Sequence, residues 1–421
     1  MNFHVIITLR SFRTAARFFI LSIDEKKCLR FSVFSVNIKE KRIRRHTMLS
    51  KTPPMGFNTW NTFGENINEK IIMETADRMV ELGLLESGYE YLVIDDCWSE
   101  RERDPETGKI VPDKNKFPNG MKAVSDYVHS KGLKFGMYSC AGTRTCADYP
   151  GSFDHEFLDA QTFAEYGADF LKYDFCYKPS SANGPLLYRK MGMALKACGR
   201  EILFSACNWG NDNVNTWIRS AGAHMYRSTG DINDNFRSFA DIAVSQIDNL
   251  AYSAPGCYND IDMLTIGMYG KGNVGSTGCN DIDYKTQFAL WCMFSAPLML
   301  GGDLREINDT CLSLIKNKHM IRINQDIEGR PAFVASKRDS DKFVFVKLLS
   351  DNEIAVLFAN LSDGKSFMPF YFEDMGIPAA SGYGLEMTDV FTGESIGVKK
   401  EFMRLEMEAH DCAMYICRLA K

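Results

Sequence analysis

YEYLVID (89–95), LKFGMYS (133–139) and DFLKYD (169–174) are three short apolar runs, and each ends at or beside a polar side chain. The stretches between them, 121–132 and 157–167, carry apolar residues at three- and four-residue spacing, as on one face of a helix. Strands that alternate with amphipathic helices predict parallel βαβ units. This part of the chain therefore indicates an α/β fold.

The alternation continues on both sides of this segment. A further helical stretch lies at 71–85, and the other strand candidates are MGFNTW (55–60), EILFSAC (201–207), HMYRSTG (224–230), the segment just before Pro255, and PLMLG (297–301). Eight strands separated by helices predict a (β/α)8 TIM barrel, which we place at residues 48–326. An open dinucleotide-binding sheet is disfavoured, because no glycine-rich phosphate turn follows the first strand.

The pattern changes after about Asp326. Short β-rich runs joined by turn residues replace the helices: KFVFVKLL (342–349), EIAVLFANL (353–361), FMPFYFED (367–374) and CAMYICRL (412–419). They predict a C-terminal antiparallel β-sandwich domain at residues 327–421. A binding module is the alternative role, but no exposed aromatic cluster is obvious, so we expect this domain to pack against the barrel.

The first 47 residues are basic, with apolar patches but neither a long apolar core nor a small-residue cleavage site. A signal or transit peptide is one interpretation. We favour another, in which the folded protein begins at Met48 and residues 1–47 are an N-terminal extension outside the fold.

Charge and cysteine content narrow the class of protein. A formal net charge of -5 gives no reason to expect binding to nucleic acid or to an anionic membrane. The 13 cysteines are scattered rather than set in CxxC pairs, which argues against a zinc ribbon and a dense disulfide framework. Buried thiols in a reducing compartment predict a cytoplasmic protein, with a secreted or lysosome-like one as the alternative.

Acidic residues recur where the predicted barrel strands end: Asp95, Asp96, Asp174, Asp231 and Asp262. In such a barrel the chemistry collects at the carboxyl ends of the strands. A pair of carboxylates can serve as nucleophile and acid/base of a glycosidase, while Trp60 or Trp98 stacks on a sugar ring. A magnesium site is the rival explanation, and it predicts activity that a chelator abolishes.

The chain resembles glycoside hydrolase family 27, the α-galactosidase and α-N-acetylgalactosaminidase family, from about Thr52 to its end. The matching strings are TPPMGFNTWN, YLVIDDCW, KFGMYS followed by AGTRTC and PGS, DFLKYDFC, YRSTGDI, NDIDML and QFALWCMFSAPLMLGGDL. They stand in the family's order and spacing. The resemblance implies a retaining exo-glycosidase that acts on α-D-galactosides and uses no cofactor or metal.

The resemblance also implies roles for single residues. Asp174 matches the nucleophile and Asp231 the acid/base, which a retaining enzyme holds roughly 5–5.5 Å apart. Lys172, on the same strand face as Asp174, is expected to keep Asp174 ionised. The sugar-contacting matches are Asp95 and Asp96 for the 4- and 6-hydroxyls, Trp60 as an aromatic platform, and Tyr138, Arg227 and Asp262 at further positions.

Two positions leave the specificity and the redox state to be decided. Asn208 stands in FSACNWG where α-galactosidases usually carry Glu, and we expect its amide to contact a free 2-hydroxyl. Cys146 and Cys176 match a pair that is disulfide-linked in many relatives, but a cytoplasmic location predicts that both are reduced.

Three alternative functions stay open: an α-N-acetylgalactosaminidase, a β-L-arabinopyranosidase, or a non-catalytic carbohydrate-binding protein. The expected partner is a small carbohydrate. The sequence leaves the oligomeric state open, a homodimer included.

Overall fold

The computed structural model describes residues 48–421 throughout and, before them, strands at Val5–Thr8, Arg17–Ile23 and Leu29–Ser35. These three strands pair in an antiparallel sheet within a separate unit, Met1–Met48. The other residues of 1–47 lie outside the described part of the chain, so their assignment as an extension outside the fold stays a prediction.

Eight parallel strands in chain order form one sheet, which confirms the predicted TIM-barrel class. They are β1 Met55–Asn58, β2 Tyr91–Val93, β3 Lys134–Cys140, β4 Phe170–Asp174, β5 Leu203–Cys207, β6 Met225–Arg227, β7 Tyr258–Asp260 and β8 Leu298–Leu300. β8 pairs with β1, and one parallel bridge from Leu264 to Leu300 links the β7 and β8 segments. Apolar side chains fill the barrel interior, among them Val93, Phe170 and Met299.

Helices follow the strands. They are α1 Trp60–Phe63, α2 Glu69–Glu81, α3 Gly120–Ser130, α4 Glu156–Tyr166, α5 Gly184–Ala197, α6 Ile218–Ala221, α7 Phe236–Ser245, α8 Asp281–Met293, α9 Asp309–Ile315 and α10 Lys318–Asn324. Asparagine side chains cap the amino ends of six of them, at Asn68, Asn183, Asn235, Asn280, Asn308 and Asn317. Each accepts a hydrogen bond from an N–H of the first turn, which fixes where the helix begins. None of the helices in the described part of the chain has the length and hydropathy needed to span a bilayer.

The seventh strand lies later in the chain than the sequence predicts. The segment just before Pro255 is a 3-10 helix, Ile247–Tyr252, and β7 is Tyr258–Asp260. The reason is that β7 is only three residues long and two of them are polar, so it shows no apolar run. The apolar residues before Pro255 instead cover the outside of the barrel, where Leu250 is buried.

The C-terminal part is the predicted β domain. Its strands are β9 Phe333–Lys337, β10 Lys342–Leu348, β11 Ile354–Asn360, β12 Ser366–Tyr371, β13 Gly384–Asp389, β14 Ser395–Lys400, β15 Phe402–Met407 and β16 Cys412–Ala420. Six form one sheet in the order β9-β10-β11-β16-β13-β14, and β12 pairs with β15 in a second. The outer face of that second sheet exposes three aromatic side chains, Phe367, Tyr371 and Phe402, which the sequence did not indicate as a cluster.

Candidate active site

A cavity of about 220 Å³ opens at the carboxyl ends of the barrel strands. Nine of the ten predicted site residues line it: Trp60, Asp95, Asp96, Tyr138, Lys172, Asp174, Arg227, Asp231 and Asp262. They come from β3, β4 and β6, from the loops after β2, β6 and β7, and from the start of α1. The parallel sheet therefore gathers at one rim residues that lie up to 202 positions apart in the sequence, from Trp60 to Asp262.

Asp174 is the last residue of β4, and its carboxylate is buried against the cavity. The Tyr138 hydroxyl donates a hydrogen bond to Asp174 Oδ2 at 2.8 Å. The other oxygen, Oδ1, is buried and makes no hydrogen bond of normal geometry with the described residues. Burial raises the pKa of Asp174 to about 6, although the Lys172 ammonium lowers it. One oxygen is thus fixed and the other remains available.

Lys172 lies two residues before Asp174 on β4, and its ammonium contacts Asp95 Oδ2 at 2.9 Å. Asn58 Nδ2 donates to the same oxygen at 2.7 Å. Burial lowers the pKa of Lys172, but the Asp95 and Asp174 carboxylates outweigh burial and hold that pKa well above its ordinary value. Lys172 therefore pairs directly with Asp95 and acts on Asp174 through its charge.

Asp96 accepts hydrogen bonds from two backbone N–H groups, of Cys97 to Oδ1 at 2.7 Å and of Ala147 to Oδ2 at 3.0 Å. Burial raises the pKa of Asp96, and these two bonds oppose the rise. A carboxylate offers about four acceptor positions, so Asp96 keeps capacity for the hydroxyl of a ligand.

Arg227, at the end of β6, connects two of the carboxylates. Its Nη2 donates to Asp231 Oδ1 at 2.9 Å and forms a close ion pair with Asp262. Arg227 and Asp262 are buried, whereas 74% of the Asp231 side chain is exposed. Asp231 is therefore held at the open side of the cavity by a guanidinium that is itself inside.

The Asp262 carboxylate is fixed by backbone N–H groups of two loops, its own after β7 and the loop after β6. Its backbone has a φ of +88°, which is unusual for a residue other than glycine. The N–H groups of Ile232 and Met263 donate to its two oxygens, each at 2.7 Å. Burial raises the pKa of Asp262 and the Arg227 guanidinium lowers it. These contacts hold the strained turn and place the side chain in the cavity.

A disulfide links Cys146 and Cys176, so the prediction of reduced thiols was wrong. Cys146 follows β3 and Cys176 follows β4, and these adjacent strands bring the two Cα atoms to 5.3 Å, a spacing that suits a disulfide. Cys146 Sγ lies 3.5 Å from Asp174 Oδ2. The bond therefore joins two loops directly beside Asp174.

Family models and known proteins match both parts of the chain. Residues 52–326 match the model described as alpha galactosidase A, and residues 339–417 match the alpha galactosidase C-terminal beta sandwich domain. An alpha-galactosidase from Cyamopsis tetragonoloba is 40% identical over 389 residues, which are 91% of this chain and 90% of that protein. The crystal structure of alpha-galactosidase I from Mortierella vinacea is 32% identical, has a TM-score of 0.80, and covers 88% of this chain and 97% of its own.

The chain belongs to the melibiase family, glycoside hydrolase family 27. A further relative, the α-galactosidase of Saccharomyces cerevisiae in its structure with raffinose, is 28% identical with a TM-score of 0.80 and covers 88% of this chain and 98% of its own.

Asn208 is the predicted site residue that does not line the cavity. Its side chain is fully buried, and its Nδ2 donates to the Asn211 carbonyl at 2.8 Å while Asn211 returns the same kind of bond at 2.7 Å. The next residues, Trp209 and Gly210, have φ values of +56° and +84°. This left-handed turn directs Asn208 into the loop and presents Trp209 to the cavity instead.

The two tryptophans that were predicted as possible sugar-stacking residues lie in different places. Trp60 lines the cavity, whereas Trp98 is buried and its Nε1 donates to the Tyr138 carbonyl at 2.9 Å. Trp98 therefore supports β3 and does not face a sugar.

The sequence missed several lining residues: Asn61, Cys207, Trp209, Ile232, Asn233 and Val274. The signal for Cys207 was present, because it ends β5. Val274 had none, since it lies in a glycine-containing loop after β7 whose path depends on contacts with the β1 loop, such as Val274 N–H to the Asn61 carbonyl at 3.1 Å.

Proposed function

We propose that this protein is an α-galactosidase that releases terminal α-D-galactosyl residues by double displacement, with Asp174 as nucleophile and Asp231 as general acid/base. The proposal rests on the different surroundings of the two carboxylate oxygens of Asp174. Tyr138 holds Oδ2, while Oδ1 is left without a hydrogen bond of normal geometry among the described residues that surround the cavity. A nucleophile needs this combination of a fixed carboxylate and one oxygen that can reach the sugar.

The two steps follow from this arrangement. In the first, Asp174 Oδ1 bonds to the anomeric carbon, the bond to the leaving oxygen breaks, and the Asp231 proton goes to that oxygen. In the second, Asp231 takes a proton from water, and the water oxygen displaces Asp174 from the anomeric carbon. Two inversions retain the configuration, and both side chains return to their starting protonation states.

Sugar recognition is assigned to the side chains around Asp174. Asp95 and Asp96 retain acceptor capacity for the 4- and 6-hydroxyls, and Trp60 offers a ring for the apolar face of galactose. At the end of β5 and just after it, Cys207 and Trp209 line the cavity rather than Asn208, and we assign these two side chains to the 2-position. The Asn208 amide therefore takes no part in the choice at this position, and we propose a free 2-hydroxyl because relatives such as the Cyamopsis tetragonoloba protein are alpha-galactosidases.

The test compares p-nitrophenyl α-galactoside with the corresponding α-N-acetylgalactosaminide and β-L-arabinopyranoside, all with EDTA present. We expect turnover of the galactoside, lost by about 10⁴-fold or more in Asp174→Ala. Asp154→Ala is the matched control, because Asp154 is an exposed carboxylate that pairs with Lys190 and does not line the cavity. Preference for either other sugar would overturn the proposed specificity. Full activity in Asp174→Ala would overturn the mechanism.

An oligosaccharide of the raffinose type is the proposed natural substrate, since the yeast relative was solved with raffinose. Release of galactose from raffinose, measured against release from a galactolipid, tests this choice.

A cytoplasmic location remains a proposal. Ten of the described cysteines are free, which supports a reducing compartment, whereas the Cys146–Cys176 bond is of a kind that such a compartment reduces. Trapping of thiols in intact cells, followed by mass spectrometry of the peptides with Cys146 and Cys176, tests it. Complete alkylation of both would support the cytoplasm, and an intact disulfide would contradict it.

A further inference from the structure

The Cys146–Cys176 disulfide lies beside Asp174, and the proposed reaction does not use it. Cys146 is exposed and lines the active-site cavity, while Cys176 is half-buried in the loop after β4. The free cysteines that the structure describes differ from this pair, since nine are buried and Cys198 is half-buried. Among the described cysteines, this disulfide is therefore the group that a soluble reductant can reach, and it reaches it from the cavity.

Three side chains that can bind a metal ion meet at this point: Cys146, Asp174 and Cys176. One ligand atom from each lies within 4.8 Å of the other two. Cys146 Sγ is 3.5 Å from Asp174 Oδ2, and the Cα atoms of the two cysteines are 5.3 Å apart. In the disulfide the two sulfur atoms are bonded to each other, whereas the form of cysteine that binds metals is the thiolate. Reduction of the disulfide supplies two thiolates next to a carboxylate.

The distances fit a tetrahedral zinc ion. Zinc binds thiolate sulfur at about 2.3 Å and carboxylate oxygen at about 2.0–2.2 Å, so a sulfur and an oxygen bound to one ion lie roughly 3.5 Å apart. Cys146 Sγ and Asp174 Oδ2 already have this separation. Two thiolates bound to one zinc ion lie roughly 3.8 Å apart. Rotation about the Cα–Cβ bonds brings the two cysteines to that separation, because their Cα atoms are close.

The charge of the cavity also favours a cation. Five carboxylates line it, whereas the cationic side chains that line it in the described part of the chain are Lys172 and Arg227. Both of these are already paired, Lys172 with Asp95 and Arg227 with Asp262. The carboxylates therefore outnumber the cationic groups, and a divalent cation reduces the repulsion among them.

The Asp174 carboxylate is oriented for such a role. The Tyr138 hydroxyl donates to Oδ2, the oxygen that lies beside Cys146. Carboxylates that bind metals are themselves held by hydrogen bonds of this kind, which fix their direction and tune their affinity. Since the site opens to the cavity, water can fill the fourth position of the ion.

We propose that reduction of the Cys146–Cys176 disulfide creates a site for a thiophilic divalent cation such as Zn²⁺, with both thiolates and the Asp174 carboxylate as its ligands. A dithiol reductant supplies the two electrons. One of its sulfur atoms attacks the disulfide, the other releases the protein from the mixed disulfide, and the reductant leaves as a cyclic disulfide. The two protein thiols bind the cation and lose their protons to water.

The bound cation blocks hydrolysis, because it occupies the carboxylate that attacks the sugar. This consequence rests on the proposed role of Asp174, whereas the binding of the cation does not. Removal of the cation frees the carboxylate again. The effect of a chelator is thus the reverse of that predicted by a catalytic magnesium site: it restores activity.

Direct measurement of zinc binding to the intact protein tests the inference. The wild type is reduced with a dithiol, separated from the reductant under nitrogen, and titrated with Zn²⁺ in competition with a zinc-binding dye. We expect the reduced protein to bind about one Zn²⁺ per chain more than the oxidised protein does. Equal binding by the two forms overturns the inference. Loss of the folded circular dichroism spectrum on reduction also overturns it, because the site needs both loops in place.

Three variants identify the ligands in the reduced state. Loss of a partner that only supports a ligand costs about 10–100-fold in metal affinity, so loss of a ligand in Cys176→Ser should cost about 100-fold or more. Asp174→Asn keeps both thiolates and should weaken binding by about 10-fold or more. Cys198→Ser is the matched control, because Cys198 is a free cysteine that does not line the cavity, and it should bind zinc as the wild type does. Unchanged affinity in Cys176→Ser overturns the inference.

Hydrolysis of p-nitrophenyl α-galactoside gives a second readout and separates this inference from the proposed function. Zn²⁺ should inhibit the reduced enzyme competitively and leave the oxidised enzyme unaffected, and EDTA should reverse the inhibition. Equal inhibition of both forms would place the cation elsewhere and overturn the inference. If zinc bound to the reduced protein but Asp174→Ala hydrolysed the galactoside as the wild type does, the proposed function would fail and the metal site would stand. If Asp174→Ala lost hydrolysis but reduction created no zinc site, only this inference would be wrong.

Discussion

Lys172 and Lys347 are two lysines on β-strands with their ammonium groups inside the protein, yet their surroundings differ. Lys172, at the active site, contacts Asp95 and lies near Asp174, and these carboxylates hold its pKa well above the ordinary value. Lys347, on β10 of the C-terminal domain, is fully buried, and burial lowers its pKa to about 7. The surroundings therefore raise the pKa of Lys172 and lower the pKa of Lys347.

The difference lies in the partners. Lys347 Nζ donates to the carbonyls of Ile323 at 2.6 Å and Cys292 at 3.1 Å, and to Ser295 Oγ at 2.8 Å. Cys292 and Ile323 stand in the last turns of α8 and α10, where carbonyls have no partner within the helix. Lys347 therefore fastens the β domain to the barrel by hydrogen bonds to neutral acceptors. It forms no direct ion pair with any described residue, and the Asp326 carboxylate only partly opposes the effect of burial on its pKa. Lys172, by contrast, is paired with the Asp95 carboxylate, and its positive charge also acts on Asp174.

The largest effect that the comparison predicts is that of Lys172→Met. Removal of the ammonium leaves Asp95 and Asp174 close together without a cation, and repulsion then disfavours an ionised nucleophile. We expect kcat/KM for p-nitrophenyl α-galactoside to fall by about 10²–10³-fold and stability to fall by about 3 kcal/mol, measured by steady-state kinetics and urea unfolding. Retention of more than a tenth of the activity would mean that Lys172 is only structural.

The acidic limb of the pH profile of kcat/KM gives a second test of the difference between the two lysines. Asp174 must be ionised to attack, and its pKa of about 6 predicts that kcat/KM falls as pH decreases through this range. Because Lys172 lowers the pKa of Asp174, the limb should move to higher pH in Lys172→Met. It should stay in place in Lys347→Met, which is the matched control. Equal limbs in the two variants would contradict the electrostatic role of Lys172.

The same two lysines show what the sequence could and could not predict. Lys172 was identified because strand periodicity places it on the face of Asp174 at the end of an apolar run. The run KFVFVKLL gives no sign that Lys347 is buried, because its burial comes from the packing of α8 and α10 over β10. Contacts between distant segments are not encoded in local periodicity.

The predictions for Asn208 and for the position of β7 were wrong for related reasons. The match of Asn208 to a position where α-galactosidases usually carry Glu predicted a contact with the sugar, but the left-handed turn at Trp209 and Gly210 directs it away from the cavity. β7 is held by its ladder to β6 rather than by apolar residues of its own. The carboxylates at strand ends were predictable because the barrel itself fixes their position.

A smaller, purely structural effect is predicted for Lys347→Met. Three acceptors at the domain contact lose their donor, and we expect stability to fall by about 2 kcal/mol at pH 8, with kcat/KM within about twofold of the wild type. The folded pKa of about 7 lies below the ordinary value of about 10.4 in the unfolded chain. Between these values the unfolded chain binds the extra proton, so the contribution of Lys347 to stability increases as pH rises.

Urea unfolding of wild type and Lys347→Met at pH 6 and pH 9 measures this dependence. The difference in unfolding free energy between the two proteins should be larger at pH 9. A difference that is larger at pH 6 would show that Lys347 is charged throughout and would remove the contrast with Lys172.

The smallest effect belongs to a lysine with no buried partner. Lys70, on α2, lies 3.6 Å from Glu74 in an i,i+4 pair, and their side chains are 82% and 41% exposed. Such a pair contributes little in water, and a positive charge in the first turn of a helix opposes the helix dipole. Lys70→Ala should therefore change the unfolding free energy by less than about 0.5 kcal/mol, and the change should vanish at high salt. A loss above about 1 kcal/mol would make the contribution of this exposed pair to stability comparable with that of Lys347. The nature of the partners would then no longer explain the different contributions of the three lysines.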